Sequence, residues 1–265
     1  DNGLNVSVSF VIDQGDDTTT EVGSGTKTFG GGAPFDSHSV TVSSDSLGSL
    51  TMHGEGGSSA SGMVDGTVSG NIWDAFQAAA DEPEAAPGGS NGLVYVLPSI
   101  MDGVAVTTSY APKGTGADSS TAWSVAYTGI DGLSLTYASG EDNATAGSEA
   151  DHEVMKATYA YGPITVGYME SDYNDAVASG DQNTTAYNVA YTISDELSIS
   201  YGSEELEFGV QSATNVAAEF ERLSVTYVTG GMTLTASQAS GDNVSYSTAT
   251  TEDREVWALG ASFAF

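Results

Sequence analysis

The chain has 265 residues, no cysteine, and 36 acidic against 5 basic side chains, which gives a formal net charge of −31. The lack of cysteine excludes a disulfide framework and a thiolate metal site, and the acidic excess excludes nucleic acid as a partner, because a nucleic-acid face needs clustered Lys and Arg. No transmembrane helix is predicted either, since the sequence has no uninterrupted apolar run of about 18 residues.

The elements that the sequence does predict are β-strands. Apolar residues alternate with small or polar residues along almost the whole chain, which is the pattern of a strand with two different faces. The first strand is predicted at 4–12 and the last at 252–265, and fourteen strands are predicted in all. Short turns join them in hairpins, and these turns lie at 45–48, 101–103, 129–132, 162–163, 194–196 and 230–231.

Every second connection is long and polar. The long connections are predicted at 13–36, 56–91, 112–120, 140–151, 172–183, 204–217 and 241–251. One short helix is predicted, within 73–86, where Trp73, Phe76 and a run of alanines precede Pro83.

The two faces of these strands decide between two fold classes. A soluble sandwich also alternates, because the apolar faces of its two sheets meet in a core. Here, however, the residues of the polar face are small and uncharged, and the charged residues concentrate in the long connections. Tyrosines such as Tyr137 and Tyr201 lie near the predicted strand ends. These features favour an all-β, transmembrane antiparallel β-barrel with short turns on one side and long loops on the other, and the sandwich is the alternative.

The C-terminus carries the most specific motif. Alternate positions from Trp257 to the terminal Phe265 resemble the closing strand of Gram-negative outer-membrane proteins, and 92–265 is similar to general diffusion porins of alphaproteobacterial type. The resemblance implies about 16 strands in the complete protein, a homotrimer, and a place in the outer membrane. Because residues 1–3 form a hairpin-turn sequence, we expect that the first hairpin is missing from this chain. A complete barrel of fourteen strands is the alternative.

The resemblance also implies a site. Residues 1–265 are expected to form a single barrel domain in which 56–91, the third outer loop, folds inward and narrows the pore; an ordinary surface loop is the alternative. The residues expected to line this constriction are Asp65, Asp74, Asp81, Glu82, Glu84, Lys156 and Arg222. Acidic residues dominate the set, and the sequence lacks the row of basic wall residues typical of the family, so a preference for cations is predicted.

No enzymatic, nucleotide or histidine-metal motif is present. A Ser-Gly-acid tripeptide recurs at loop boundaries, and turn chemistry explains it. The alternative is that outer loops bind Ca²⁺ or Mg²⁺ through clustered carboxylates. The residues in question are Glu141, Asp142, Asp181 and Asp242.

The predicted function is a passive channel for small hydrophilic solutes and ions, without catalysis or another cofactor. The expected partners are those solutes, outer-membrane lipid, and two further copies of the chain in the homotrimer. A structural or receptor-type barrel, and a barrel enzyme of the outer membrane, are the alternatives.

Overall fold

The described part of the chain forms a single antiparallel sheet. The computed structural model describes residues 3–12, 35–76, 91–112, 118–145, 148–249 and 252–264. Fourteen strands pair in chain order, each with its sequence neighbours, and β1 and β14 are the two ends of that order. The strands are β1 (Asn5–Ile12), β2 (Phe35–Ser44), β3 (Gly48–Glu55), β4 (Leu93–Val96), β5 (Val104–Ala111), β6 (Ser120–Tyr127), β7 (Leu133–Thr145), β8 (Ser148–Tyr161), β9 (Ile164–Asp175), β10 (Gln182–Thr192), β11 (Leu197–Phe208), β12 (Ala218–Thr229), β13 (Met232–Asp242) and β14 (Arg254–Phe263).

The tight turns lie where the sequence predicts them. The turn between β12 and β13 consists of Gly230 and Gly231, and both have positive φ, at 54° and 83°. A two-residue turn of this kind matches the twist of the flanking strands but disfavours residues with a Cβ, which explains the glycine pair. Thr229 pairs with Met232 directly across it, so the turn fixes the register of the whole hairpin.

The outer face of the sheet, defined as the face that points away from the segment described below, is apolar and exposed. On β10, Tyr187, Val189 and Tyr191 are 52%, 48% and 45% exposed, whereas Thr184 and Ala186 on the opposite face are buried. A soluble sandwich would bury this apolar face against a second sheet. The described strands form one sheet instead, so the sandwich alternative is wrong. Among the described residues, no helix is long and apolar enough to cross a membrane.

Several strands are longer than predicted. β7 extends to residue 145 and β8 begins at residue 148, so both strands continue into the connection predicted at 140–151. In the same way β9 reaches 175 and β11 reaches 208, into the connections predicted at 172–183 and 204–217. The prediction ended each strand where apolar residues ended. Backbone pairing needs no apolar side chain, so the ladders continue through the polar residues.

A segment that follows β3, residues 56–76, lies against the other face of the sheet, and we call it the inner segment. Near its start, Ala60 N donates to Ser109 Oγ of β5 at 2.9 Å. Near its end, the ring of Phe76 packs on Phe220 of β12. Between these two points, Gly66 contacts β8 and Ser69 contacts β12, so a stretch of three residues, about 10 Å long, joins strands that are four spacings, about 19 Å, apart in a flat sheet. The sheet therefore curves around the segment. The segment ends in a short 3-10 helix, Ile72–Phe76, and the remainder of the helix predicted at 73–86 lies outside the described residues.

Candidate functional site

The inner segment contains a turn that its own side chains close. Thr67 N donates to Asn71 Oδ1 at 2.8 Å, and Asn71 N donates back to Thr67 Oγ1 at 2.7 Å. Gly70 and Asn71 have φ of 83° and 51°, a conformation that glycine and asparagine tolerate best. This reciprocal pair of hydrogen bonds gives residues 67–71 a defined shape through contacts within the segment itself.

A buried carboxylate on the sheet receives this turn. Glu204 of β11 is 1% exposed, and its Oε1 accepts hydrogen bonds from Thr67 Oγ1 and, at 2.7 Å, from Ser69 Oγ. Its Oε2 accepts from Trp73 N at 3.0 Å. A buried charge is costly unless hydrogen bonds satisfy it, and charge-assisted bonds are stronger than neutral ones. Glu204 thus binds three groups of the inner segment at a position where water does not compete.

Two basic side chains of the sheet hold the same segment by its carbonyl groups. Lys156 Nζ of β8 donates to Gly66 O. Arg222 Nη2 of β12 donates to Ser69 O and, at 3.4 Å, to Gly70 O. The sheet therefore binds the segment through one acidic and two basic residues on three different strands.

Two glycines in the sheet allow the segment to approach closely. A Cβ added at Gly202 of β11 would lie 2.8 Å from Ser69 Cβ and 3.1 Å from Ile72 Cδ1. A Cβ added at Gly167 of β9 would lie 3.1 Å from Val68 Cβ. A side chain at Gly202 would push the segment away from the sheet, whereas a Cβ at Gly167 requires Val68 to move by only a few tenths of an ångström.

Apolar side chains pack under the end of the segment. The rings of Phe76 and Phe220 have centroids 5.4 Å apart and are tilted by 37°. The buried members of this cluster are Ile72, Trp73, Phe76, Leu206, Ala218, Phe220, Ala239, Val244 and Tyr246. The prediction of small, uncharged residues on the second face therefore fails at these positions, because the inner segment covers them and a covered position favours apolar residues.

Four of the seven predicted constriction residues lie on the inner segment or bind it from the sheet. Asp65 is half-buried and interacts electrostatically with Lys156, and Asp74 is exposed on the 3-10 helix. Lys156 and Arg222 are half-buried on the sheet and bind the segment as described. The other three, Asp81, Glu82 and Glu84, lie outside the described residues.

The predicted calcium ligands lie on strands that are not neighbours. Glu141 and Asp142 belong to β7, Asp181 precedes β10 and Asp242 ends β13. Three strand spacings, about 14 Å, separate each group from the next, so these carboxylates do not share one ion. No group of three or more potential ligands occurs in the described part of the chain. Cation binding at separate outer loops remains a prediction.

Sequence reasoning missed Glu204, which lay in a connection predicted at 204–217. The signal was present in the alternation, since Tyr201 points outward and the register then places Gly202, Glu204 and Leu206 on the inner face. A lone acidic residue at a covered inner position of a strand indicates that hydrogen-bond donors lie opposite it, because an unpaired buried charge is rare.

The fold and this site define a class of protein. A large antiparallel sheet with an exposed apolar outer face, curved around a segment of its own chain, is typical of a transmembrane β-barrel of the outer membrane. The model of the family described as Gram-negative porin matches residues 1–219. The chain therefore belongs to the Gram-negative porin family, and it is a passive diffusion channel of the outer membrane.

Solved structures of porins share the fold. An anion-selective porin from Comamonas acidovorans is 15% identical, with a TM-score of 0.57 over 78% of this chain and 68% of that one. A mutant porin of Rh. blastica is 16% identical, with a TM-score of 0.61 over 100% of this chain and 86% of that one. A porin refined at 1.8 Å is 15% identical, with a TM-score of 0.62 over 86% and 81%. At these identities the likeness shows the fold alone. No curated protein sequence matches the chain.

Proposed function

We propose that the chain forms a cation-favouring channel for small hydrophilic solutes, whose narrowest part is built by 56–91. The observation that supports this most is that residues 56–76 lie against the inner faces of β8, β9, β11 and β12, bound through Lys156, Glu204 and Arg222. A segment held inside a curved sheet reduces the cross-section open to solutes.

The sign of the selectivity follows from the charges near this segment. Ser69 links Glu204 to Arg222, since its hydroxyl binds the acid and its carbonyl binds the base. Lys156 faces Asp65. These opposite charges largely offset each other, which leaves Asp74 and the surplus of acidic residues along the chain to set the potential in the pore.

The shared fold does not determine this sign, because one of the structural relatives is described as anion-selective. Planar-bilayer recordings in a KCl gradient test the proposal. We expect discrete conductance steps and a reversal potential of the sign produced by cation preference. A reversal potential of the opposite sign would contradict the charge argument. Folded, membrane-inserted protein without conductance would instead favour a receptor-type or structural barrel.

The homotrimer remains a prediction from the family resemblance. Light scattering of the detergent-solubilised protein, with the detergent mass subtracted, measures the number of copies directly. Three copies per particle are expected, and a single copy would contradict the prediction.

A further inference from the structure

We propose that Glu204 is the positioning residue that sets the aperture, because this one buried side chain accepts three hydrogen bonds from the inner segment. The inference rests on the proposed function of residues 56–91 as the narrowest part of the channel. Glu204 does not need to contact a permeating solute. It acts through Thr67, Ser69 and Trp73, whose donors it accepts with both carboxylate oxygens.

The burial of Glu204 distinguishes it from the other acidic residues of the sheet. It is 1% exposed, whereas its neighbour Glu205 points outward and is exposed. All three partners of Glu204 belong to residues 67–73, the part of the segment that contains the closed turn and the start of the 3-10 helix. One side chain therefore fixes the turn and the helix relative to the same strand.

The contacts that Arg222 and Gly202 make with the inner segment depend on the position in which Glu204 holds the turn. Arg222 reaches Ser69 O and Gly70 O, and Ile72 lies over Gly202, only while the turn stays next to β11. Gly202 pairs with Arg222 across the ladder. The turn therefore lies on one continuous contact surface, which consists of Glu204, Gly202 and Arg222. Without the carboxylate, the two hydroxyls and the Trp73 amide lose their charged acceptor at a buried position.

A segment released from this contact surface is expected to sample positions farther into the channel. The Glu204→Ala channel should therefore open with a broad distribution of conductances, including levels below that of the native protein. Glu204→Gln keeps the volume and one acceptor oxygen but loses the charge and presents an amide donor. It should lie between the native protein and Glu204→Ala.

Amide hydrogen exchange of the folded protein in detergent measures the release of the inner segment independently of conductance. Loss of charge-assisted bonds should make exchange of the Trp73 amide at least about tenfold faster in Glu204→Ala, with a smaller rise in Glu204→Gln. Protection in the β9–β10 hairpin should stay unchanged. The matched control is Glu205→Ala, which removes the same charge from the next residue of the strand and should behave like the native protein in both assays.

A crosslink provides a rescue that a general loss of stability would not show. The chain has no cysteine, and Val68→Cys with Gly167→Cys places two thiols where the Cβ separation is 3.1 Å. This separation is a few tenths of an ångström below the usual disulfide range of about 3.5–4.5 Å, so the turn must move from the strand by about that amount for the bond to form. In the Glu204→Ala background, the oxidised pair should restore a narrow conductance distribution, and a reductant should abolish the rescue.

The outcomes separate the two proposals. Unchanged protection of Trp73 in both Glu204 variants would refute the role of Glu204, and so would faster exchange with a conductance distribution as narrow as that of the native protein. A uniform loss of conductance that the crosslink fails to restore would also refute it. If the native protein does not conduct at all, the channel proposal fails, and hydrogen exchange alone still decides whether Glu204 holds the segment.

Discussion

The carboxylates of the inner segment should set the cation preference of the channel, and neutralising them isosterically tests this directly. Asp74→Asn removes one exposed charge from the 3-10 helix, and Asp65→Asn removes the charge that faces Lys156. Both substitutions keep the volume of the side chain, so the aperture should not change. Each is expected to lower the ratio of cation to anion permeability.

The size of the effect follows from Coulomb's law. A unit charge about 6 Å from the path of an ion contributes about 0.7 kcal/mol at the dielectric constant of water. At an ionic strength of about 0.1 M, where the Debye length is about 10 Å, screening reduces this to about 0.4 kcal/mol. Because the charge attracts a cation and repels an anion, the two differ by about 0.8 kcal/mol, so the permeability ratio should fall about fourfold for each carboxylate and about fifteenfold for both.

Reversal potentials in a KCl gradient give the permeability ratio for each variant. At about 1 M salt the Debye length falls to about 3 Å, and the same calculation gives an effect of only about 1.4-fold per carboxylate. Glu205→Gln and Glu219→Gln serve as controls, since both residues are exposed on the outer face of the sheet. The reasoning would be refuted if these outer-face variants changed the ratio as much as Asp65→Asn and Asp74→Asn, or if the effect did not weaken with salt.

Three further predictions concern the packing that holds the segment. Phe220→Ala should lower the free energy of unfolding by about 3–5 kcal/mol in reversible urea unfolding, because this ring is fully buried against Phe76; the outer-face Leu223→Ala should have a much smaller effect. Gly202→Val should displace the inner segment, since even its Cβ would lie 2.8 Å from Ser69 Cβ; faster amide exchange at 67–73 with an intact β11–β12 ladder would confirm this. Gly231→Val should slow refolding into detergent and destabilise the β12–β13 hairpin by at least about 1 kcal/mol, because a φ of 83° is strained for a residue with a branched Cβ. An unchanged midpoint of unfolding would contradict the turn argument.

The strand number and the tight turns were predictable because both depend on local chemistry. Alternation of period two identifies a strand wherever its two faces meet different surroundings, and a turn such as Gly230–Gly231 needs residues that accept positive φ. The ends of the longer strands were not predictable in this way. Beyond the apolar zone the alternation between β7 and β8 fades, while backbone pairing continues to Thr145 and Ser148.

The interior was less predictable, because its contacts join residues that are far apart in the chain. Glu204 and Trp73 are separated by 131 positions, and nothing near either residue signals the other. The register of β11 places Glu204 and Leu206 on the inner face, but it does not indicate whether water or protein covers that face. Only the position of the inner segment shows why Phe220 and Leu206 are apolar there, and why a lone carboxylate is stable beside them.

The basic residues that bind the inner segment connect the fold to the proposed selectivity. Only 5 Lys and Arg occur in the chain, and two of them, Lys156 and Arg222, bind carbonyl groups of the inner segment. On the same inner face Glu204 and Arg222 are diagonal neighbours of one ladder, about 7–8 Å apart, so their charges offset each other near the segment. Basic residues that hold a segment in this way contribute little net positive potential to the pore. A channel that uses its few cations for positioning and keeps its acidic surplus is therefore expected to admit cations more readily than anions.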